Sequence, residues 1–230
     1  MPIGQEPGGV LRLRIAVDAT CWANGRGYGR FARELMRELV ALAPEHEFLC
    51  IGDDAAFKAL PLEAPNVRQI LVKQSASPVD AASAEGYRSP LDMWRLTRAT
   101  AALRADVFFS PSVGTYYPLR PSERAVITVH DAIAERFPAM TLPTARARLF
   151  WKLKLGLAIR QADLVLTVSD YAAAEVAAAH HIPASKLRVA VEAPAASYVP
   201  ASSSEVTLAV SRVGLASGAS YFTYVGGFSP

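Results

Sequence analysis

Two cysteines in 230 residues are too few for a disulfide framework. Cys21 opens a loop and Cys50 sits in an apolar run, with no metal-ligand spacing between them, so both read as buried or idle thiols in a reducing compartment. A long Lys/Arg run is missing as well: 24 basic residues against 21 acidic ones give a net charge of +3 and a pI of about 8.9. That mild excess excludes nucleic acid as the expected partner and leaves anionic ligands welcome. No apolar segment reaches the length of a membrane span, and the N-terminal "MPIGQEPGGVLRLRIAVDA" has no charge-free apolar stretch of the kind a secretory leader needs. A cytoplasmic protein is the expectation.

What is present is an ordinary globular composition, 51% hydrophobic and 20% charged, with enough chain for one large domain or a domain and part of another. Short apolar runs alternate with longer amphipathic ones. Strands are expected at 13–19, 47–52, 67–73, 106–110, 125–130, 163–169 and 187–192, and helices at 28–43, 89–104, 142–161 and 170–180. The strand segments are Val-, Ile-, Leu- and Phe-rich on both faces, which suits a parallel sheet covered on two sides. The predicted fold is α/β: a Rossmann-like doubly wound parallel sheet with helices on both faces. In the first helix Phe31, Leu35, Met36, Leu39 and Leu42 fall at helical spacing. Residues 73–90 lack periodicity and read as a long mobile loop, and "EAPAASYVPASSSE" (192–205) reads as an interdomain linker. Beyond it come a short helical pattern and "YFTYVGGFSP", read as a strand ending on glycines. The expected division is 1–197 and 198–230, the second part holding the linker, a helix and the opening strand of a further domain.

The stretch "CWANGRGYGRFARELMRELV" places Gly25, Gly27 and Gly29 with Arg26 and Arg30 between the first strand and the first helix. Glycine lets backbone N–H groups approach a ligand, and a helix start attracts anions. No Gly-Lys-Ser/Thr follows, so it is not a P-loop, and the G-x-G-x-G spacing is a poor dinucleotide fingerprint. The bland alternative is a flexible glycine-capped turn. His130 and Asp131 end the fifth strand segment on the same rim, a histidine suited to a cleft and an aspartate that would otherwise cap the next turn. Ser169 is expected to cap the helix that follows it. Tyr116 and Tyr117, in a loop leaving the fourth strand, are candidates to stack on a sugar or an apolar acceptor, with a packed loop as the alternative. Two features are not promoted. Adjacent His180 and His181 point apart and do not share a metal. The segment holding Arg146, Arg148, Lys152, Lys154 and Arg160 among Leu149, Phe150, Trp151, Leu153 and Leu157 reads as a solvated face over a core, with a membrane-surface helix as the alternative.

Taken in order, these pieces resemble the N-terminal half of a retaining GT-B enzyme of glycosyltransferase family 4. "RIAVDA" followed by "GYGRFARELMREL" is similar to the family's G-I-G-R-Y-T-R-E-L-L pattern. "AVITVHDAI" resembles its V-x-T-x-H-D, "ADLVLTVSDYAAAEV" its A-D-x-V-x-T-V-S, and "YFTYVGGFSP" the Y-x-L-Y-V-G that opens its C-terminal domain. The resemblance implies a nucleotide diphosphate sugar as donor, a glycan or lipid-linked acceptor, and no metal or other cofactor. It puts the backbone at Gly27, with Tyr28, Gly29 and Arg30, beside the donor diphosphate. His130 would serve as the catalytic histidine of the cleft, and Asp131 and Ser169 would shape it.

Where the family pattern carries basic residues and a Glu-x7-Glu pair, this chain has Glu205 as its only acidic side chain after residue 200 and no Arg or Lys after Arg212. The expectation is an acceptor-side domain that turns over no sugar by itself and acts in glycan assembly at or near the inner membrane face. Two rivals remain at this point: a non-catalytic module or split-enzyme subunit completed by a partner chain, and a nicotinamide-dependent enzyme that the glycine spacing disfavours.

Overall fold

Each of the seven apolar runs forms a strand, and all pair in parallel. The computed structural model describes residues 11–75, 88–121, 123–195, 198–216 and 218–224. Its strands are β1 (Arg14–Asp18), β2 (Glu47–Gly52), β3 (Val67–Leu71), β4 (Val107–Ser110), β5 (Ala125–Thr128), β6 (Leu164–Thr167) and β7 (Leu187–Val189). Their order across the sheet is β3-β2-β1-β4-β5-β6-β7. The chain therefore grows outward from β1 to β3, returns, and grows the other way from β4, with the switch point between β1 and β4.

Successive residues of each strand enter different cores. Ala16, Phe108, Ile127 and Val165 pack in one, while Val17, Phe109, Val126 and Leu166 pack in the other. The second core is closed by α1 (Gly27–Leu42) and α2 (Asp54–Ala59), through Ala32, Met36, Val40 and Ala56. The first is closed by α3 (Pro90–Leu103), α6 (Ala145–Gln161) and α7 (Asp170–His180), through Leu96, Leu155, Ala158 and Val176. Right-handed crossovers require this arrangement: reversing the direction of growth at β4 moves the helices to the opposite face. Each fully buried Leu, Phe or Met in these cores contributes about 1.5–3 kcal/mol of transfer free energy.

Two short helices, α4 (Ile133–Arg136) and α5 (Pro138–Thr141), follow β5 and carry no periodic signal in the sequence. The apolar stripe of α1 is also partly displaced from the expected one. Met36 is buried and Leu35 and Leu39 pack against the second core as expected, but the buried row also runs through Gly29, Ala32 and Val40, and Leu42 is 78% exposed. On α6 Trp151 and Leu157 pack against the core beside the buried Ala147, Leu155 and Ala158, while Leu149, Phe150 and Leu153 are exposed.

The chain divides into two units, 1–192 and 193–230; the expected boundary at 197 falls inside the second. In that unit α8 (Ser203–Arg212) starts with a capping box, Ser202 Oγ accepting from the Glu205 N–H and the Glu205 carboxylate accepting from the Ser202 N–H. The strand expected at 221–230 does not form over residues 221–224; a strand needs a neighbour, and the described residues of this unit offer none. Residues 225–230, and positions 76–87 of the expected mobile loop, lie outside the described residues. No helix among the described residues is long and apolar enough to cross a membrane.

Candidate functional site

The carboxyl ends of β1, β4, β5 and β6 form one rim, where an open parallel sheet offers its crevice. After Asp18 two successive turns, Trp22 N–H to Ala19 O and Asn24 N–H to Cys21 O, carry the chain to α1. Asn24 organises the entry. Its Oδ1 accepts from the Arg26 N–H at 2.7 Å, its Nδ2 donates to the Tyr28 hydroxyl, and its carbonyl, with that of Trp22, accepts from the Arg33 guanidinium. Burial pushes the Tyr28 phenol above its ordinary value, which suits a strut of the loop.

The two glycines of this helix start differ. A Cβ at Gly29 would lie 2.1 Å from the Asn24 carbonyl oxygen, whereas one at Gly27 would meet nothing within 4 Å. Close packing thus accounts for Gly29 and not for Gly27. Arg26 occupies the N-cap position without a side-chain hydrogen bond to the helix, and Arg26, Gly27 and Arg30 are exposed.

His130 lies two residues past the end of β5. Its Nε2 is 2.9 Å from the Pro111 carbonyl at the end of β4, and its ring meets the edge of Phe31 from the first turns of α1, with centroids 4.9 Å apart at 88°. The start of α1 and His130 are therefore neighbours on the rim. A carbonyl can only accept, so the bond to Pro111 fixes the proton on Nε2. In the neutral ring this leaves Nδ1 as an acceptor, and the nearest ionisable partner, Glu192 Oε1 at 3.7 Å, has no proton to give when ionised.

Ser169 is a helix cap, and Asp131 closes the turn that precedes the N-cap residue Ala132. Asp131 Oδ1 accepts from the Ile133 N–H at 2.9 Å, at the start of α4, and Ser169 Oγ accepts from the Ala172 N–H at 3.1 Å, at the start of α7. The tyrosines need correction as stacking platforms. Tyr116 is 4% and Tyr117 0% exposed; their hydroxyls are bonded to Gln161 Oε1 and Thr100 Oγ1, and Tyr117 packs edge-on to Phe108 at 5.5 Å. Both belong to the core beneath the rim, the packed-loop alternative.

The structure adds residues that were not candidates. Asp18, fully buried at the switch point, accepts from the Thr20 N–H and hydroxyl through Oδ1 and from the Thr115 hydroxyl at 2.9 Å through Oδ2. Burial raises its pKa against the opposing pull of Arg88. Arg88 donates to Thr20 Oγ1 at 3.1 Å and lies over the Tyr117 ring, 5.8 Å from its centroid. Lys154 of α6 reaches the same place, donating to the Gly114 carbonyl at 2.9 Å with its ammonium 4.9 Å from the Trp151 ring centroid. Burial, and then Arg88, pull its amine down to about 8.

An open, all-parallel seven-stranded sheet with helices on both faces defines a Rossmann-like α/β module. The chain belongs to Glycosyltransferase Family 4, whose family model matches residues 25–190, and it carries the N-terminal domain type of a GT-B glycosyltransferase. Comparison with curated proteins finds no match.

Proposed function

We propose that this chain is the acceptor-side domain of a transferase that moves a sugar from a nucleotide diphosphate sugar to a glycan or glycolipid acceptor with retention and without a metal ion. The observation that supports the reading is the contact of the His130 ring with Phe31, on the helix that Gly27 begins, with the Pro111 carbonyl fixing the ring from β4. On the glycine side of the rim the exposed Gly27 backbone and the uncapped start of α1 suit a diphosphate. Across the crevice His130 Nδ1 suits a hydroxyl of the sugar or acceptor, which it would orient as hydrogen-bond acceptor. In the reaction the bond from the sugar's anomeric carbon to the diphosphate oxygen breaks with its electron pair leaving on the diphosphate. The acceptor oxygen bonds the same carbon on the same face, and its proton passes to the departing phosphate oxygen.

A second domain is proposed to supply the groups that hold the nucleotide and stabilise the leaving diphosphate. A peripheral contact with the cytoplasmic face of a membrane belongs to the same reading, supported by exposed Leu149, Phe150 and Leu153 interleaved with Arg146 and Lys152 on α6. The test is ligand-detected NMR on the purified chain with a panel of acceptor glycans and nucleotide sugars, run beside His130→Ala. Acceptor contacts that weaken in the variant are expected. Sugar transfer by the 230-residue chain alone, or an absence of acceptor contacts throughout the panel, would overturn the assignment.

A further inference from the structure

At the switch point two cations are drawn together beside a single buried carboxylate, most of whose acceptor capacity is already taken. Asp18 is the carboxylate whose charge acts on Arg88, and it already accepts three hydrogen bonds from Thr20 and Thr115 while fully buried. Arg88 uses Nη2 on the Thr20 hydroxyl, and its Nη1 is buried with no hydrogen-bond partner among the described residues. Lys154 gives one hydrogen bond to the Gly114 carbonyl and faces the Trp151 ring, and it lies close enough to Arg88 for repulsion to act on its amine. Placing two half-buried cations together with one buried donor left over is unfavourable unless an anion offsets the charge and takes up that donor. Both side chains are only half-buried, so a ligand reaches them from the rim.

We infer that Arg88 and Lys154 form a subsite for an anionic group, a carboxylate or a phosphate, carried by the molecule that occupies the crevice. Arg88 presents the planar fork suited to either oxyanion, and Lys154 supplies a point charge from the opposite element. The neighbouring Thr115 hydroxyl and Gly114 hold the β4 end of the subsite. The inference deepens the acceptor-side reading by giving the acceptor a charge: an acidic sugar on the carboxylate branch, a sugar phosphate or phospholipid headgroup on the phosphate branch.

The experiment is isothermal titration of the purified chain with glucuronate and, separately, with inorganic phosphate, with no sugar donor present. Saturable binding of at least one anion is expected, weakened tenfold or more in Arg88→Gln and in Lys154→Met and unchanged in Lys58→Met on the exposed side of α2. Glucuronate preference assigns a carboxylate acceptor and phosphate preference a phosphorylated one. Because buried substitutions can disturb folding, a second measurement uses the wild type: competitive acetylation of lysines read by mass spectrometry, in which the anion is expected to protect Lys154 at least threefold and leave Lys58 unprotected. No saturable binding of either anion, binding undiminished in both variants, or no protection of Lys154 would overturn the subsite. None of these results bears on His130 or Gly27, so a neutral acceptor found by NMR would preserve the acceptor-side assignment while this one fell.

Discussion

Replacing Lys154 with Met separates the cost of its buried charge from everything else in the fold. Its amine is held down from 10.5 to about 8, chiefly by burial and secondly by Arg88. The folded chain therefore releases this proton near pH 8 and the unfolded chain near 10.5. Between those values the unfolded state binds more protons, so the Lys154 contribution to stability rises with pH; below 8 the full penalty applies. At about 1.4 kcal/mol per pH unit the penalty is at most roughly 3.5 kcal/mol, and about half that once partial solvent access is allowed for. Other groups oppose the trend in the total. Cys50 is pushed up to about 12 by burial and Cys21 is raised as well, so unfolded thiols that ionise above pH 9 draw stability down there. Those terms are common to both proteins and cancel in the difference. The assay is urea unfolding of wild type and Lys154→Met at pH 7, 8, 9 and 10. The stability of the variant relative to wild type should fall by about 1.2–2.5 kcal/mol across the series, whatever constant offset the methionine introduces. A difference constant to within about 0.5 kcal/mol would refute the buried-cation argument. Whichever of glucuronate and inorganic phosphate the chain binds should, at pH 7, raise the wild type's midpoint and leave the variant's unmoved.

The remaining predictions concern the rim. Gly29→Ala should destabilise the chain by about 3 kcal/mol or more, since its Cβ meets the Asn24 carbonyl at 2.1 Å, while Gly27→Ala should leave the thermal midpoint unchanged or slightly raised; equal effects would contradict the division of roles between them. Ser169→Ala should cost about 1 kcal/mol through loss of the Ala172 cap and leave acceptor contacts intact by NMR. Tyr117→Phe should cost about 1 kcal/mol through the lost Thr100 bond without altering any ligand contact; a changed ligand profile would restore the stacking role.

The strands and long helices were legible because strands buried on both faces need continuous apolar runs, and "EFLCIG" or "DLVLTVS" have no other stable use. α2, α4 and α5 were not, since four to six residues are too few to show a period and tertiary contacts decide them. The tyrosines failed for a different reason: an aromatic pair in a rim loop has the same local signature whether it faces outward or drops into the core, and only the partners Thr100 and Gln161, distant in sequence, settle it. Gly29 and Gly27 were equally indistinct, because what separates them is the path of the Asn24 carbonyl.

Lys154 is the instructive miss. Read alone, "WKLKLGL" looks like a charged face with apolar interruptions. Set on α6, whose buried residues are Ala147, Leu155 and Ala158, the residue stands seven after Ala147 and four before Ala158, on the stripe that turns inward. A lysine on the buried stripe breaks the pattern that the rest of the helix obeys. Among the described residues no carboxylate is hydrogen-bonded to Lys154, and a second cation, Arg88, comes near it from a distant part of the chain. A violation that packing alone would not retain is where a sequence departs from folding and answers to a ligand, and at this switch point the departure has a sign: the crevice is built to receive negative charge.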